Sequence, residues 1–347
     1  MRAAILDGGQ IKVGELPDPV PQKGQVLVRT HRCGLCASDA HFLCSGETVV
    51  AKSREHGGPY AGVDLSRPIV MGHEFVGEIV DYGPGSRRPV KVGRKVTATP
   101  MVKLGPGPAD IGIVGYQNEL PGGFGEYMIL DEDLLLEVPD GLDDDLAALV
   151  EPLAVGLEHA RVGEPQPGEI PLVIGCGAIG LGVIAGLKLK GVGPIVAADL
   201  DASRRAIAIR MGADIVVDPR EASPYAPHVD LGGRSPNLVY ECVGKPGLLN
   251  EIVNSVGMGA RIVMGGFCLE PEALYVPTAQ MKLLKISFAR GEGPEDMALA
   301  LRSIAEGRID MRPWLGERIG LSGVGEALAS MSDPSTPVRT VVDPRVL

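Results

Sequence analysis

Between His31 and His41 the chain gathers two thiols (Cys33, Cys36), a hydroxyl (Ser38), a carboxylate (Asp39) and two imidazoles into one short stretch, read as a loop. Met71-Gly72-His73-Glu74-Phe75 and Val150-Glu151-Pro152-Leu153 add another imidazole and two carboxylates. Catalytic zinc takes three protein ligands from Cys, His and carboxylate and keeps a position open for water or substrate. Cys36, His73 and Glu151 supply such a set. Cys33 and Cys36 also form a C-x-x-C pair, a spacing that lowers a thiol pKa and suits redox chemistry. A metal role for Cys36 draws on more of the surrounding residues. Cys33 and Cys44 read as packing thiols, because free cysteine behaves as a small hydrophobe.

A second constellation is Gly175-Cys176-Gly177-Ala178-Ile179-Gly180, a G-x-G-x-x-G between the apolar run Pro171–Ile174 and a helical stretch. The first glycine permits the tight turn, the second lets backbone approach a pyrophosphate, and the third lets helix and strand pack closely. Amides at the helix start, at Ala178 and Ile179, then face the phosphates with the positive end of the helix dipole. Asp199 ends the next strand, about twenty residues on, where a carboxylate accepts from the ribose 2′-OH of NAD and repels the 2′-phosphate of NADP. NAD is therefore expected rather than NADP. Arg204 either lies along the adenosine ribose or is a solvated helix residue. Cys242, Val243 and Gly244 after one strand, and Gly265, Gly266 and Phe267 after the next, complete the expected cofactor-binding set. The Cys242 thiol itself reads as packing.

These residues need two kinds of scaffold. In the first half, Gln25–Thr30 and Phe75–Val80 alternate as strands, and Lys95–Thr99 follows a turn, which predicts a mostly antiparallel, barrel-like domain. After about Ala147 the character changes. Strands at 171–174, 194–199, 213–218, 238–242 and 261–264 are separated by helical stretches such as 178–190 and 202–211, which predicts a parallel sheet covered by helices. The expected fold class is α/β, a doubly wound parallel sheet beside an antiparallel β domain. A helix at 295–305 and short strands after it return to the first domain. The expected domains are 1–152 with 289–347, and 153–288.

Composition narrows the partners. A formal charge of -11 opposes a nucleic-acid or anionic-membrane surface, which needs clustered Lys and Arg. Ile170–Leu187 is uncharged over about eighteen residues, a length that suggests a membrane span. Pro171 and five glycines argue instead for strand, turn and helix start. The N-terminus lacks the apolar core of a signal peptide, and six cysteines in 347 residues do not form a disulfide framework. A cytoplasmic protein is expected.

The chain resembles the zinc-containing medium-chain dehydrogenases, the family of alcohol, sorbitol and threonine dehydrogenases, over essentially its whole length. The residues that carry the likeness are Cys33-Gly34-Leu35-Cys36-Ala37-Ser38-Asp39-Ala40-His41, Gly72-His73-Glu74-Phe75, Gly122-Gly123-Phe124-Gly125-Glu126-Tyr127, Glu151-Pro152-Leu153 and the glycine motif. The resemblance implies a groES-like catalytic domain and a Rossmann domain for NAD. It implies that Cys36 and His73 bind zinc, with Glu151 binding directly or through water as in the sorbitol and threonine branch. It further implies that Ser38 hands the substrate proton toward the nicotinamide ribose and His41 passes it to solvent. Asp39 then orients His73, and Glu74 sits near the metal and assists ligand exchange. A homodimer or homotetramer built through the cofactor domains is implied as well.

The expected reaction moves a hydride between a secondary alcohol or polyol and NAD; bulky or cyclic secondary alcohols are the alternative. A non-catalytic nucleotide-binding protein would not need Cys36, Ser38, His41, His73 and Glu151 together. Two departures from the family stand out. Residues 99–120 contain no cysteine, which excludes a second, structural zinc held by four cysteines there. Residues 46–60 form a longer connection than usual, expected as a loop that is either part of the substrate-channel wall or a tolerated surface insertion.

Overall fold

The computed structural model describes all residues except Pro106, Pro108, Ala109, Val229, Asp230, Ser332, Pro334 and Ser335. The chain divides into two compact units, Met1–Glu151 with Met297–Leu347, and Pro152–Asp296. It returns to the first unit at Met297 rather than 289. Asp296 pairs with Arg161 at 3.2 Å, which holds that turn on the second unit.

The first unit is built from short strands. They are β1 (Arg2–Asp7), β2 (Gln10–Glu15), β3 (Gln25–Gly34), β4 (Glu74–Tyr82), β5 (Lys95–Ala98), β6 (Met101–Lys103), β7 (Ile111–Ile113), β8 (Tyr127–Asp131) and β9 (Leu135–Glu137). The last two strands of the chain, β16 (Leu315–Ile319) and β17 (Arg339–Val342), join a sheet in the order β16-β17-β3-β4-β5-β9, with β8 also on β3. All neighbours in it are antiparallel except β16 and β17. Along β3, Val26, Val28 and Thr30 are buried in alternation, as one covered face requires, but Arg32, Cys33 and Gly34 are buried in succession. The strand is covered on both faces where it enters the site.

Helix α1 (Ala37–His56) follows, with a non-helical residue at Ser45 and Gly57 closing it in the left-handed conformation. The expected loop at 46–60 is thus helical through His56. Its buried residues, Gly46, Val49, Val50 and Ser53, recur at helical spacing and seat it on the first unit's core. The His31–His41 stretch is likewise a strand end and a helix start rather than a loop.

The second unit carries β10 (Pro171–Ile174), β11 (Val196–Ala198), β12 (Ile215–Val217), β13 (Leu238–Glu241), β14 (Arg261–Met264) and β15 (Lys285–Phe288). They form one parallel sheet in the order β12-β11-β10-β13-β14-β15. The chain builds outward from β10, then returns to place β13 on its other side. The order therefore reverses between β10 and β13, the place where doubly wound sheets open a crevice at their carboxyl ends. Leu172, Ile174, Val239 and Ile262 share a core with Ile252 and Val253, each such side chain contributing roughly 1.5–3 kcal/mol. The uncharged run 170–187 is β10, a turn and the start of a helix (Ala178–Leu189), and no helix among the described residues is long and apolar enough to cross a membrane.

Candidate active site

The passage from β3 into α1 places most of the chemical groups. Cys36 caps the helix, and Ser38 and Asp39 fall in its first turn. A carboxylate there meets the positive end of the helix dipole and reaches back to free amides. Asp39 does so: its Oδ2 accepts from the Cys36 amide at 3.2 Å. His41 follows one turn after Ser38, exposed on α1.

His73 comes from the residue before β4 and is 7% exposed. Its Nδ1 faces Asp39 Oδ1 at 3.4 Å, and Ser38 Oγ lies 3.4 Å from its Nε2. The Nδ1 contact is an ion-pair approach rather than a formed hydrogen bond, and a proton on Nδ1 would leave Nε2 with a lone pair for a metal. Cys36, His73 and Glu74 each offer one ligand atom, all within 4.8 Å of one another. Thiol, imidazole and carboxylate are donors that zinc accepts, so these residues fit the metal. The electrostatics agree. Burial disfavours a charged His73, yet Asp39 and Cys36 outweigh it and hold the imidazole well above its ordinary pKa. The same negative field favours a bound cation.

Glu74 has a partner that sequence reasoning missed. Arg339 on β17 donates from Nε to Oε2 at 2.8 Å and from Nη2 to Oε1 at 2.8 Å, with both residues buried. Burial opposes the guanidinium charge, and Glu74 and Cys36 more than restore it. The available signal was an arginine inside the apolar run Val338–Val342, since a buried arginine demands a carboxylate. Glu151 lies outside the three-atom group. It is buried in the first turn of a helix (Val150–Val162) and adds to the field that keeps Arg339 charged. Burial, followed by the charge of Asp39, pushes the Cys33 thiol well above its usual range, which suits packing.

In the second unit the glycine motif joins β10 to the helix as expected. Gly175 has φ +90°, and a Cβ there would lie 2.7 Å from Val243; one on Gly180 would lie 1.8 Å from the Gly175 carbonyl oxygen. A Cβ on Gly177, the helix N-cap, would meet nothing within 4 Å. Two of the glycines are thus required by the protein itself, and the third borders open space. Asp199 anchors the same turn, accepting from the Cys176 amide at 2.7 Å and from the Asp201 amide at 2.8 Å. Arg205 donates to the Asp199 carbonyl at 2.7 Å and pairs with Asp218 at 3.1 Å. The Arg204 amide donates to the N-cap Asp201.

Glu241, which sequence reasoning passed over, holds the neighbouring loops. Its Oε1 accepts from the Val243 and Gly244 amides at 2.7 and 2.8 Å, and its carbonyl accepts from Gly265 and Gly266 at 2.8 and 2.9 Å. Gly244 in turn abuts the Phe267 backbone. The Cys242–Gly244 and Gly265–Phe267 segments therefore converge, with Val243 and Phe267 exposed. Burial pushes the Cys242 thiol well above its usual range.

Gly177→Ala is expected to weaken binding of a nicotinamide dinucleotide about tenfold, the cost of roughly 1.4 kcal/mol, with an unchanged melting curve. Calorimetric titration with NAD measures it, and equal affinity in the variant sinks the assignment of this glycine to the phosphates.

Comparison with known proteins agrees with both units. The family described as alcohol dehydrogenase GroES-like domain matches residues 22–140, and that described as zinc-binding dehydrogenase matches residues 178–306. The chain is 31% identical to (R,R)-butanediol dehydrogenase of Bacillus subtilis (strain 168) over 264 residues, 73% of each chain. It is 29% identical to sorbitol dehydrogenase of the same strain over 279 residues, 77% of this chain and 75% of that one. The crystal structure of 2R,3R-butanediol dehydrogenase from Bacillus subtilis superposes with a TM-score of 0.82 over 99% of both chains, at 27% identity. The chain belongs to the zinc-containing medium-chain alcohol and polyol dehydrogenases.

Proposed function

We propose that the protein oxidises a secondary alcohol or polyol to the carbonyl compound with NAD, using a single zinc ion held by Cys36, His73 and Glu151. The gathering of Cys36 and His73 ligand atoms within 4.8 Å, beside a hydroxyl and a bracing carboxylate, carries this reading. The two family matches make it a zinc and nicotinamide oxidoreductase acting on small alcohols or polyols. Zinc supplies Lewis acidity that lowers the pKa of an alcohol, and the nicotinamide accepts a hydride.

The protein's own residues do the rest. The Cys36 thiolate and His73 imidazole hold the metal, and Asp39 keeps the imidazole in the tautomer that leaves its outer nitrogen free. Glu74 is engaged by Arg339, and the third place is assigned to Glu151, as the likeness to the sorbitol and threonine branch implies. Ser38 accepts the alcohol proton and His41 passes it to solvent. Ala178 and Ile179 amides, with Gly177, receive the pyrophosphate, and Asp199 accepts from the adenosine ribose and disfavours a 2′-phosphate.

A vicinal diol or an open-chain polyol is the proposed substrate class, in keeping with the names of the relatives at 31% and 29% identity. Activity on a panel of diols, polyols, amino alcohols and cyclic alcohols, followed by NADH absorbance with NAD or NADP, tests it. Diols or polyols with NAD are expected to give the highest kcat/KM; a preference for cyclic alcohols or for NADP would remove that part of the reading.

The same proposal includes self-association. β15 lies at the edge of its sheet, and Met281, Leu283 and Phe288 beside or on it are 77%, 69% and 76% exposed. An open strand edge with apolar side chains suits pairing with a second copy. The six unpaired cysteines suit a reducing cytoplasmic setting.

A further inference from the structure

The cysteine-free segment 99–120 reaches the candidate metal site through Tyr116. After β7 the chain turns at Gly115, which has φ +85° and lies so close to Gly72 that a Cβ would stand 3.0 Å from the Gly72 backbone. That contact sets Tyr116 beside His73, with ring centroids 5.3 Å apart. Phe42 and Tyr60 pack on Tyr116 at 5.1 and 5.4 Å. Gln117 Nε2 donates to the Pro59 carbonyl at 3.0 Å, and Asn118 exchanges hydrogen bonds with the Asp64 backbone. Tyr116 is 3% exposed.

Its hydroxyl lies 2.9 Å from Ser38 Oγ and 2.9 Å from Asp39 Oδ1. A phenol has one proton, and an ionised carboxylate is the stronger acceptor, so Tyr116 donates to Asp39. Ser38 then donates to the phenolic oxygen. The Asp39 oxygen that Tyr116 fixes is the one facing His73 Nδ1, while the other oxygen holds the Cys36 amide. A single carboxylate thus braces both Cys36 and His73, and Tyr116 sets its angle.

We propose that Tyr116 is a positioning residue of this site. It steers Asp39 onto His73, and its hydrogen bond with Ser38 fixes the place of the Ser38 oxygen, which receives the alcohol proton as Ser38 releases its own hydrogen toward His41 and solvent. The inference rests on the reading of Cys36 and His73 as zinc ligands and of Ser38 as the proton acceptor. Packing alone would explain a buried tyrosine ring, but it would assign no particular task to the hydroxyl.

The test uses Tyr116→Phe, which keeps the ring, in the full-length zinc-loaded enzyme. Zinc release into excess chromophoric chelator is expected to speed up about tenfold, the lower end for residues that brace a metal ligand. The kcat is expected to fall about tenfold while the KM for alcohol moves less than about threefold, as for an interaction specific to the reacting state. In a Ser38→Ala background the further loss of kcat from Tyr116→Phe is expected to shrink below about twofold, because coupled residues are not additive. In an Asp39→Asn background the change in zinc release is expected to vanish. Release at the wild-type rate in Tyr116→Phe, or full multiplication of its kcat loss with that of Ser38→Ala, would overturn the proposal alone. A wild-type protein that takes up no zinc would overturn the metal-site reading beneath it.

Discussion

Cys36→Ala is expected to leave a folded protein that carries no zinc and lacks alcohol dehydrogenase activity. Cys36 supplies the sulfur in the group of ligand atoms gathered with His73 among the described residues, and an alanine there offers no replacement donor. Loss of a residue that merely braces a ligand costs about 10–100-fold, so loss of the thiolate itself is expected to exceed the upper end of that range. The fold tolerates the change because Cys36 caps α1 and is only half-buried, and Asp39 still receives the residue 36 amide. Metal analysis by atomic emission and a circular-dichroism melt of the same sample separate the two effects. Glu151→Ala is the companion, expected to lower zinc content less than Cys36→Ala does. Full zinc occupancy in both variants would show that the ligand assignment is wrong.

The second large effect concerns stability. Arg339→Met strands the Glu74 carboxylate, which is 0% exposed, without its guanidinium. Removing one partner of a buried ion pair costs about 3–5 kcal/mol, because the remaining charge is left uncompensated. With about 2–4 °C lost per kcal/mol at this size, the Tm is expected to drop by roughly 6–20 °C. Neutralising the stranded group in Arg339→Met/Glu74→Gln is expected to recover part of the loss, which no additive account of two damaging changes allows. Scanning calorimetry of the two variants decides it, and a double variant that melts below Arg339→Met would refute the ion-pair explanation.

What was legible in the sequence had a local signal. The glycine motif stands between a strand and a helix, so its neighbours along the chain identify it, and the parallel sheet follows from alternating runs that each span a few residues. Helix α1 was hidden for a specific reason. Its buried stripe has the right spacing, but two of its four members beyond the Ser45 kink are Gly46 and Ser53, which carry no hydrophobic signal. The chain around Gly46 and Gly57 therefore resembled a loop. The Arg339–Glu74 pair was hidden by distance, since 265 positions separate the partners and no local pattern links them. Tyr116 is obscured differently, because no local pattern in segment 99–120 marks one tyrosine as part of a site whose other residues lie far along the chain. Glu241 marks the same limit. An acidic residue at a strand end is unremarkable until the amides of two loops are seen to converge on it.

The approach of β3 to β4 has a consequence for how this sequence can drift. A Cβ on Gly34 would lie 2.3 Å from Glu74 Oε2. The carboxylate is held in that place by Arg339 from the far end of the chain. Residue 34 can therefore gain a side chain only if residue 74 shrinks, and a smaller residue at 74 leaves a buried arginine stranded at 339. Positions 34, 74 and 339 form one heritable unit, expected to vary together among descendants of this chain or not at all.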